Sequence, residues 1–461
     1  MFTNVVNFLL VPLYTAFLTA TDYGVLALLL LFSTLGKIVF RMGLDGGFFR
    51  VHYDLDDAGQ QRRLAGSVAV FAAGSSTALF LLVVLLAGPL TRALFGGVAP
   101  PSRFVVLAAA DVWLGAFAFV PLNLLRIQDR PGLFSSYSAC RHTLNTALKV
   151  ALVMRGFGVE GVLWSDAVAT GAFSLSLAPV LWRGAAWSFD RRLLGEVLGF
   201  GLPKVPHGML VQALNLADRR ILDLFVSRAE LGIYQLGYTF GAGVKFALSA
   251  FEPAWQPFVY ARIREKDAPR TLARVASWSF AAFVAVGLAF AVLSRELVRL
   301  MTPRNHAFWA AAPVVPVVTL AYVFHGAFLL GSVGIAIRKK ARYYPLITGV
   351  AAAVNVAANF LLIPRLGILG AAWATVLSYA LMAGMGLWIS QRLYPIPFEW
   401  RRLLALLGAG AGAYSLSLLA PASLWPALGA KLGCLAAFPA LALAFGFRPG
   451  LGRDPRGAAA V

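Results

Sequence analysis

Apolar runs of about 18 to 25 residues recur along almost the whole chain, separated by short polar stretches that hold most of the arginines. At about 1.5 Å per residue, a helix of that length crosses about 30 Å of hydrocarbon, so each run reads as a spanning helix. The pattern predicts about fourteen, at 2–18, 23–40, 64–88, 104–125, 133–154, 159–181, 196–217, 231–259, 273–294, 308–335, 343–363, 367–390, 403–420 and 427–447. No segment alternates apolar and polar positions over about ten residues, which excludes a β-barrel and leaves helices to satisfy the backbone within lipid.

The runs repeat. "DYGVLALLLLF" at 22–32 aligns with "ELGIYQLGYTF" at 230–240, an offset of 208 that places Gly24, Leu28, Phe32 and Lys37 on Gly232, Leu236, Phe240 and Lys245. "GVEGVLW" at 158–164 aligns with "GILGAAW" at 367–373, setting Gly158, Gly161 and Trp164 on Gly367, Gly370 and Trp373 at an offset of 209. Two matches that keep their spacing to within one residue indicate an internal duplication. Six helices per repeat is an even number, so both halves enter the membrane in the same direction, the arrangement of parallel-repeat transporters. The expected fold is an all-α integral membrane protein, with one six-helix lobe over 1–182, a second over 196–392, and two additional helices over 403–447.

Composition agrees: 59% of residues are hydrophobic and 13% charged, with mean hydropathy +0.75, outside the range of soluble domains. The net charge of +20 is unevenly placed. With a cytoplasmic N-terminus, Arg62, Arg63, Arg191, Arg192, the Arg262–Arg274 loop and the Arg338–Arg342 loop all face the cytoplasm. The opposite face holds fewer cations, Arg92, Arg103, Arg155, Arg219, Arg220, Arg228, Arg295, Arg299, Arg304 and Arg365. This bias puts both termini in the cytoplasm and explains the basic excess by topology, with membrane-lipid contact as a by-product and no nucleic-acid partner. Cys140 and Cys434 fall inside predicted helices and imply neither a disulfide nor a metal site. The first run lacks a basic n-region and a cleavage site, so it reads as a truncated first helix rather than a signal peptide.

Five cations, Lys37, Arg141, Lys149, Lys204 and Lys245, sit inside predicted helices, where a charge at mid-bilayer costs roughly 2.5–3.5 kcal/mol. Arg141, Asn145 and Lys149 share one stripe of helix 5, and Lys204, His207, Gln212 and Asn215 share an arc of helix 7 that Pro203 and Pro206 should kink. Asp111, Asp166 and Glu252 are the only acids well inside the predicted helices and are the candidates for ion coupling. Cationic walls with few acids suit an anionic cargo such as a phosphate or pyrophosphate group. The competing reading has Lys37 snorkelling toward Arg41, Lys149 pairing with Asp166, and His207 and His325 simply packed. Helices 13 and 14 lie outside the repeat with Lys431 as their one intramembrane charge, and are expected to shape a lipid-tail groove. No Walker glycine loop, carboxylate metal cluster or large external loop supports an enzyme, and no cofactor is implied.

Three stretches carry a family likeness: "LLVPLYTAFLTATDYGVLAL" (9–28), "FGLPKVPHGMLVQALNLADRRILDLFVSRAELGIYQLGY" (200–238) and "NVAANFLLIPRLGILGAAWATVLSY" (355–379). Together they resemble the polysaccharide flippases, the Wzx-type O-antigen and capsule translocases, within the superfamily that also holds MATE exporters and MurJ-type lipid II flippases. The resemblance implies two six-helix lobes around a cationic lumen that move a polyprenyl-pyrophosphate-linked oligosaccharide to the outer leaflet of a bacterial cytoplasmic membrane, with a polysaccharide polymerase and glycosyltransferases as partners. It makes Lys37 and Lys245 counterparts of the basic residues that MurJ-type members carry on helices 2 and 8. This chain begins inside helix 1, so a basic residue near the start of that helix is missing, as from a start codon placed too far downstream. A MATE-type drug or metabolite antiporter is the runner-up, and a membrane glycosyltransferase or polymerase subunit the reading from another class.

Overall fold

The computed structural model describes residues 11–96, 99–128, 131–263, 265–338, 340, 342–421 and 424–444. Residues 2–10 of the first expected helix lie outside that set. Every regular element within it is helical. The first half of the chain forms α1 (Val11–Phe17), α2 (Ala20–Arg41), α3 (Leu44–Asp54), α4 (Ala58–Leu85), α5 (Ala87–Phe95), α6 (Arg103–Ile127), α7 (Pro131–Met154), α8 (Gly158–Ser176) and α9 (Ala178–Gly184). There follow α10 (Arg191–Gly201), a 3-10 turn (Leu202–Lys204), α11 (Val205–Phe225), α12 (Arg228–Gly241), α13 (Val244–Arg262), α14 (Ala268–Val292) and α15 (Ser294–Met301). After a second 3-10 turn (His306–Ala311) come α16 (Val314–Gly331), α17 (Val333–Ile337), α18 (Tyr343–Leu366), α19 (Ile368–Leu393), α20 (Trp400–Ser417) and α21 (Leu424–Ala444).

Eight helical segments among the described residues are long and apolar enough to cross a membrane. Others are interrupted or polar, which is where the structure departs from the fourteen uniform spans read off the sequence. The expected helix 7, 196–217, begins instead at Arg191, turns at the Leu202–Lys204 turn beside Pro203 and Pro206, and runs on to Phe225. Proline lacks the N–H that an unbroken helix needs and crowds the preceding turn, so the kink has a local cause. The expected helix 8, 231–259, breaks at Ala242 and Gly243, just before Lys245.

Within the first half α6 packs on α2, α4 and α8, and α7 on α8; within the second, α16 and α18 both pack on α19 while α11 lies on α18. The halves meet where α2 crosses α12. Each of these helices starts with a capping box, Thr19 with Asp22 and Ser227 with Glu230, four residues that correspond at the offset of 208 found in the sequence. The crossing occurs one turn later at glycine against backbone. A Cβ on Gly24 would sit 2.1 Å from the Arg228 carbonyl oxygen, and one on Gly232 would sit 1.8 Å from that of Ala20. Polar bonds tie the halves at the same end: Arg228 Nη2 donates to the Phe95 carbonyl at 2.7 Å and Arg220 Nη2 to that of Ala93 at 3.2 Å. Thr15 Oγ1 donates to the Met301 carbonyl at 3.1 Å.

At the far end of α2 the contact is made differently. Met42 and Gly43 turn the chain with φ of 46° and 73°, and Gly43 meets Gly201 backbone to backbone. Leu193, Leu194 and Val197 of α10 join the apolar cluster of Phe48, Leu64 and Val68. The residues leading into α11 are thus packed on the first half, while α11 itself lies on α18 of the second. α20 and α21 pack on each other and on α14.

Candidate functional site

Lys37 lies thirteen residues past Gly24 on the uninterrupted α2, about 20 Å from the crossing at about 1.5 Å per residue. Its Nζ is 3.3 Å from Oδ2 of Asp111, which α6 presents from the buried side of its span. Arg141 of α7 reaches the same carboxylate, with Nη2 3.8 Å from Oδ1. Thr170 of α8 links the two, accepting from Arg141 Nη2 at 2.9 Å and donating to Asp111 Oδ1 at 2.6 Å. The Arg141 guanidinium stands 5.5 Å from the Phe173 ring centre, and its Nε is buried with no partner among the described residues.

One turn further along α7, Asn145 Nδ2 donates to Asp166 Oδ1 at 2.8 Å and Lys149 Nζ lies 2.8 Å from the same oxygen. The stripe of Arg141, Asn145 and Lys149 therefore faces α8 as its spacing requires, with each polar end on a carboxylate. The expected pairing of Lys149 with Asp166 is present. The Lys37 Nζ is engaged with Asp111.

Lys245 stands apart. The break at Gly243 puts it in the first turn of α13, exposed, with Nζ 5.2 Å from the Tyr322 ring centre and no ion pair among the described residues. An aromatic face attracts a cation without neutralising it. Behind that ring the second half holds a buried aromatic cage: Tyr238 and Tyr322 share a hydroxyl bond of 2.9 Å, and the His325 and Tyr379 rings lie 5.2 Å apart.

Of the other expected residues, Gln212 is half-buried with no hydrogen bond among the described residues, and Glu252 is exposed with no ion pair among them. The side chains of Lys204, His207 and Asn215 lie outside the described residues.

Two features escaped the sequence reading. The expected helix 7 stops at 217, just before Asp218, with Arg219 on the face opposite the cytoplasm and only Asp111, Asp166 and Glu252 as acids well inside helices. Instead α11 continues through Asp218 and Arg219, 2% and 1% exposed, which pair at 2.5 Å. The Tyr234 hydroxyl donates to Asp218, Arg219 Nε donates to Gln235 Oε1 at 3.2 Å, and the guanidinium lies 4.1 Å from the Tyr238 ring centre. This arginine is saturated and its pair is neutral, so it adds structure and no free charge. The signal was the apolar i, i+3, i+4 register of Leu214, Ile221, Leu222 and Phe225 running through the charged residues. The second feature is Thr170, invisible as an isolated hydroxyl in an apolar run.

Among the described residues no group of three His, Cys, Asp or Glu side chains could hold a metal ion.

Most of the chain superposes on known transporters. A structure of the lipid II flippase MurJ in an inward closed conformation matches with TM-score 0.75 at 12% identity, covering 96% of both chains. An inward-facing multidrug resistance MATE transporter matches with TM-score 0.65 at 14% identity, over 85% of this chain and 94% of that one. A point mutant of the Vibrio cholerae MATE transporter VcmN matches with TM-score 0.54 at 17% identity over 84% of this chain and 92% of that one. These likenesses establish a multi-pass, all-helical membrane transporter fold. No curated protein matches the sequence. The family described as polysaccharide biosynthesis protein does match, over residues 15–307, and the chain belongs to it.

Proposed function

We propose that the protein flips a polyprenyl-pyrophosphate-linked oligosaccharide from the cytoplasmic to the outer leaflet by alternating access, as a non-enzymatic step of cell-surface polysaccharide synthesis in a bacterial cytoplasmic membrane. The observation that carries this reading is uncompensated charge. In the first half Lys37, Arg141 and Lys149 share two carboxylates, which leaves one positive charge, and Lys245 of the second half supplies another. A pyrophosphate diester carries two negative charges. Arg141 Nε offers it a buried donor that lacks an acceptor, and lysines that trade Asp111 or Asp166 for phosphate oxygens keep their charges satisfied throughout.

In this reading 1–182 and 196–392 are rocking lobes, both termini are cytoplasmic, and the end closed at Gly24 and Gly232 is the outer one. Asp111 and Asp166 are the coupling groups, with Glu252 as a third acid on the second lobe: a proton on either of the first two would free a cation for the cargo. The cavity of about 240 Å³ lined by Phe280, Phe324, Leu387 and Leu403, between α14, α16, α19 and α20, is apolar and suits a polyprenyl chain. Lys204, His207, Gln212, Asn215 and Asn145 contribute polar contacts to the headgroup and glycan. A polymerase and glycosyltransferases act before and after it. A MATE-type antiporter of organic cations is disfavoured because Asp111 and Asp166 are already held by cations.

The test is flipping of a labelled polyprenyl-pyrophosphate oligosaccharide in proteoliposomes, with folding checked for each variant. Lys37→Gln and Lys245→Gln should each lower the rate by at least about tenfold, Lys→Arg should retain part of it, and the double variant should be non-additive. Wild-type rates in both glutamine variants would refute cargo binding by these residues.

A further inference from the structure

The last two helices carry a charge that the proposed cargo site does not use. Lys431 of α21 is 6% exposed, and its Nζ reaches both carboxylate oxygens of Glu296 at 2.9 and 2.8 Å. Glu296 belongs to α15, the short helix that follows α14. The 25 residues of α14 span about 37 Å at about 1.5 Å per residue, more than the hydrocarbon core, so α15 lies at headgroup level. It is the end of α14 away from the Arg262–Arg274 loop.

Beside the pair is a cavity of about 180 Å³, walled by Arg295 and Arg299 of α15, Tyr414 and Ser417 of α20, and Lys431 itself. Three cations against one carboxylate leave two positive charges facing it. Arg295 has no ion pair among the described residues, and Arg299 is held 4.9 Å from the Trp309 ring centre. Ser294 and Glu296 also line it, the remaining wall is apolar, including Val292 and Leu418, and Leu418 and Leu419, in the turn after α20, are 59% and 81% exposed. A charged recess beside exposed leucines matches a molecule with an anionic head and apolar chains.

We propose that this cavity binds the phosphodiester headgroup of an anionic phospholipid in the leaflet opposite the termini, with Arg295 and Arg299 as its ligands and the Lys431–Glu296 pair as its floor. Guanidinium groups offer paired donors that fit phosphate oxygens, and the apolar part of the lipid packs on the exposed Leu418 and Leu419. The lipid bridges α15 to the α20–α21 pair, which packs mainly on α14, and so fastens the two added helices to the transporter body. The inference needs α14 and α21 to span the membrane and needs nothing of the cargo, so its failure and that of the flipping reading are separate outcomes.

The test uses delipidated full-length protein in detergent, titrated with phosphatidylglycerol, phosphatidylcholine or inorganic phosphate and followed by native mass spectrometry and thermal melting. Phosphatidylglycerol should bind and raise the melting temperature, with phosphatidylcholine weaker by at least about tenfold. The double variant R295Q/R299Q, at exposed positions, should melt like wild type without lipid and retain one phosphatidylglycerol fewer. An unchanged count of bound lipid in that variant would overturn the site. Inorganic phosphate that stabilises the protein as well as the lipid does would make it a free-anion site and overturn the lipid assignment.

Discussion

Asp218 and Arg219 are adjacent in sequence, nearly inaccessible, and satisfied by each other, Tyr234 and Gln235. Removing one partner leaves a buried charge uncompensated, so Asp218→Ala should cost about 3–5 kcal/mol and show as a sharply lower melting temperature and yield. Lys245→Gln should leave melting unchanged, because that lysine neutralises nothing among the described residues. The contrast separates charge that holds the fold together from charge that neutralises nothing among the described residues. The same distinction governed what was legible in the sequence. Lys37, Arg141, Lys149 and Lys245 stood out because each interrupts an apolar run, and the four-residue spacing in helix 5 correctly gave a shared face. Which of them were already neutralised depended on which of α6 and α8 would face them, and that is decided by packing between helices far apart in the chain.

Helices were legible wherever hydropathy was uniform, and α6, α14, α18 and α19 fall within a few residues of their expected bounds. Breaks were less so. A window averaged over a span passes smoothly across Ala242 and Gly243, and it stops early at Asp218 although the helix continues. In the alternating-access reading, closure of one face depends on the crossing of α2 and α12. Gly24→Val or Gly232→Val puts a branched side chain where even one carbon would sit about 2 Å from a carbonyl oxygen. Either variant should hold that face apart: spin labels across it should report a longer mean distance than in wild type, and flipping should fall. An unchanged distance would show that the closed face does not require this contact.

For the molecule as a whole, the charge bias predicts that the Arg262–Arg274 and Arg338–Arg342 loops share the cytoplasm with both termini. Reporter fusions at these loops should be active only for a cytoplasmic reporter, and a fusion that placed the first of them outside would invert the leaflets named above. The first of the two short sequence matches falls in the fold on matched capping boxes and matched glycines, each glycine meeting the counterpart of the other's neighbour: Gly24 against Arg228, Gly232 against Ala20. Such a contact is isologous, the kind that twofold homodimers make. A six-helix chain with a single copy of it would close on itself as a dimer, at an occupancy set by its density in the membrane. Fusing two copies replaces that dependence by a fixed effective concentration and frees the partners to diverge. One has kept its cations on carboxylates, and the other has left a lysine over a tyrosine ring.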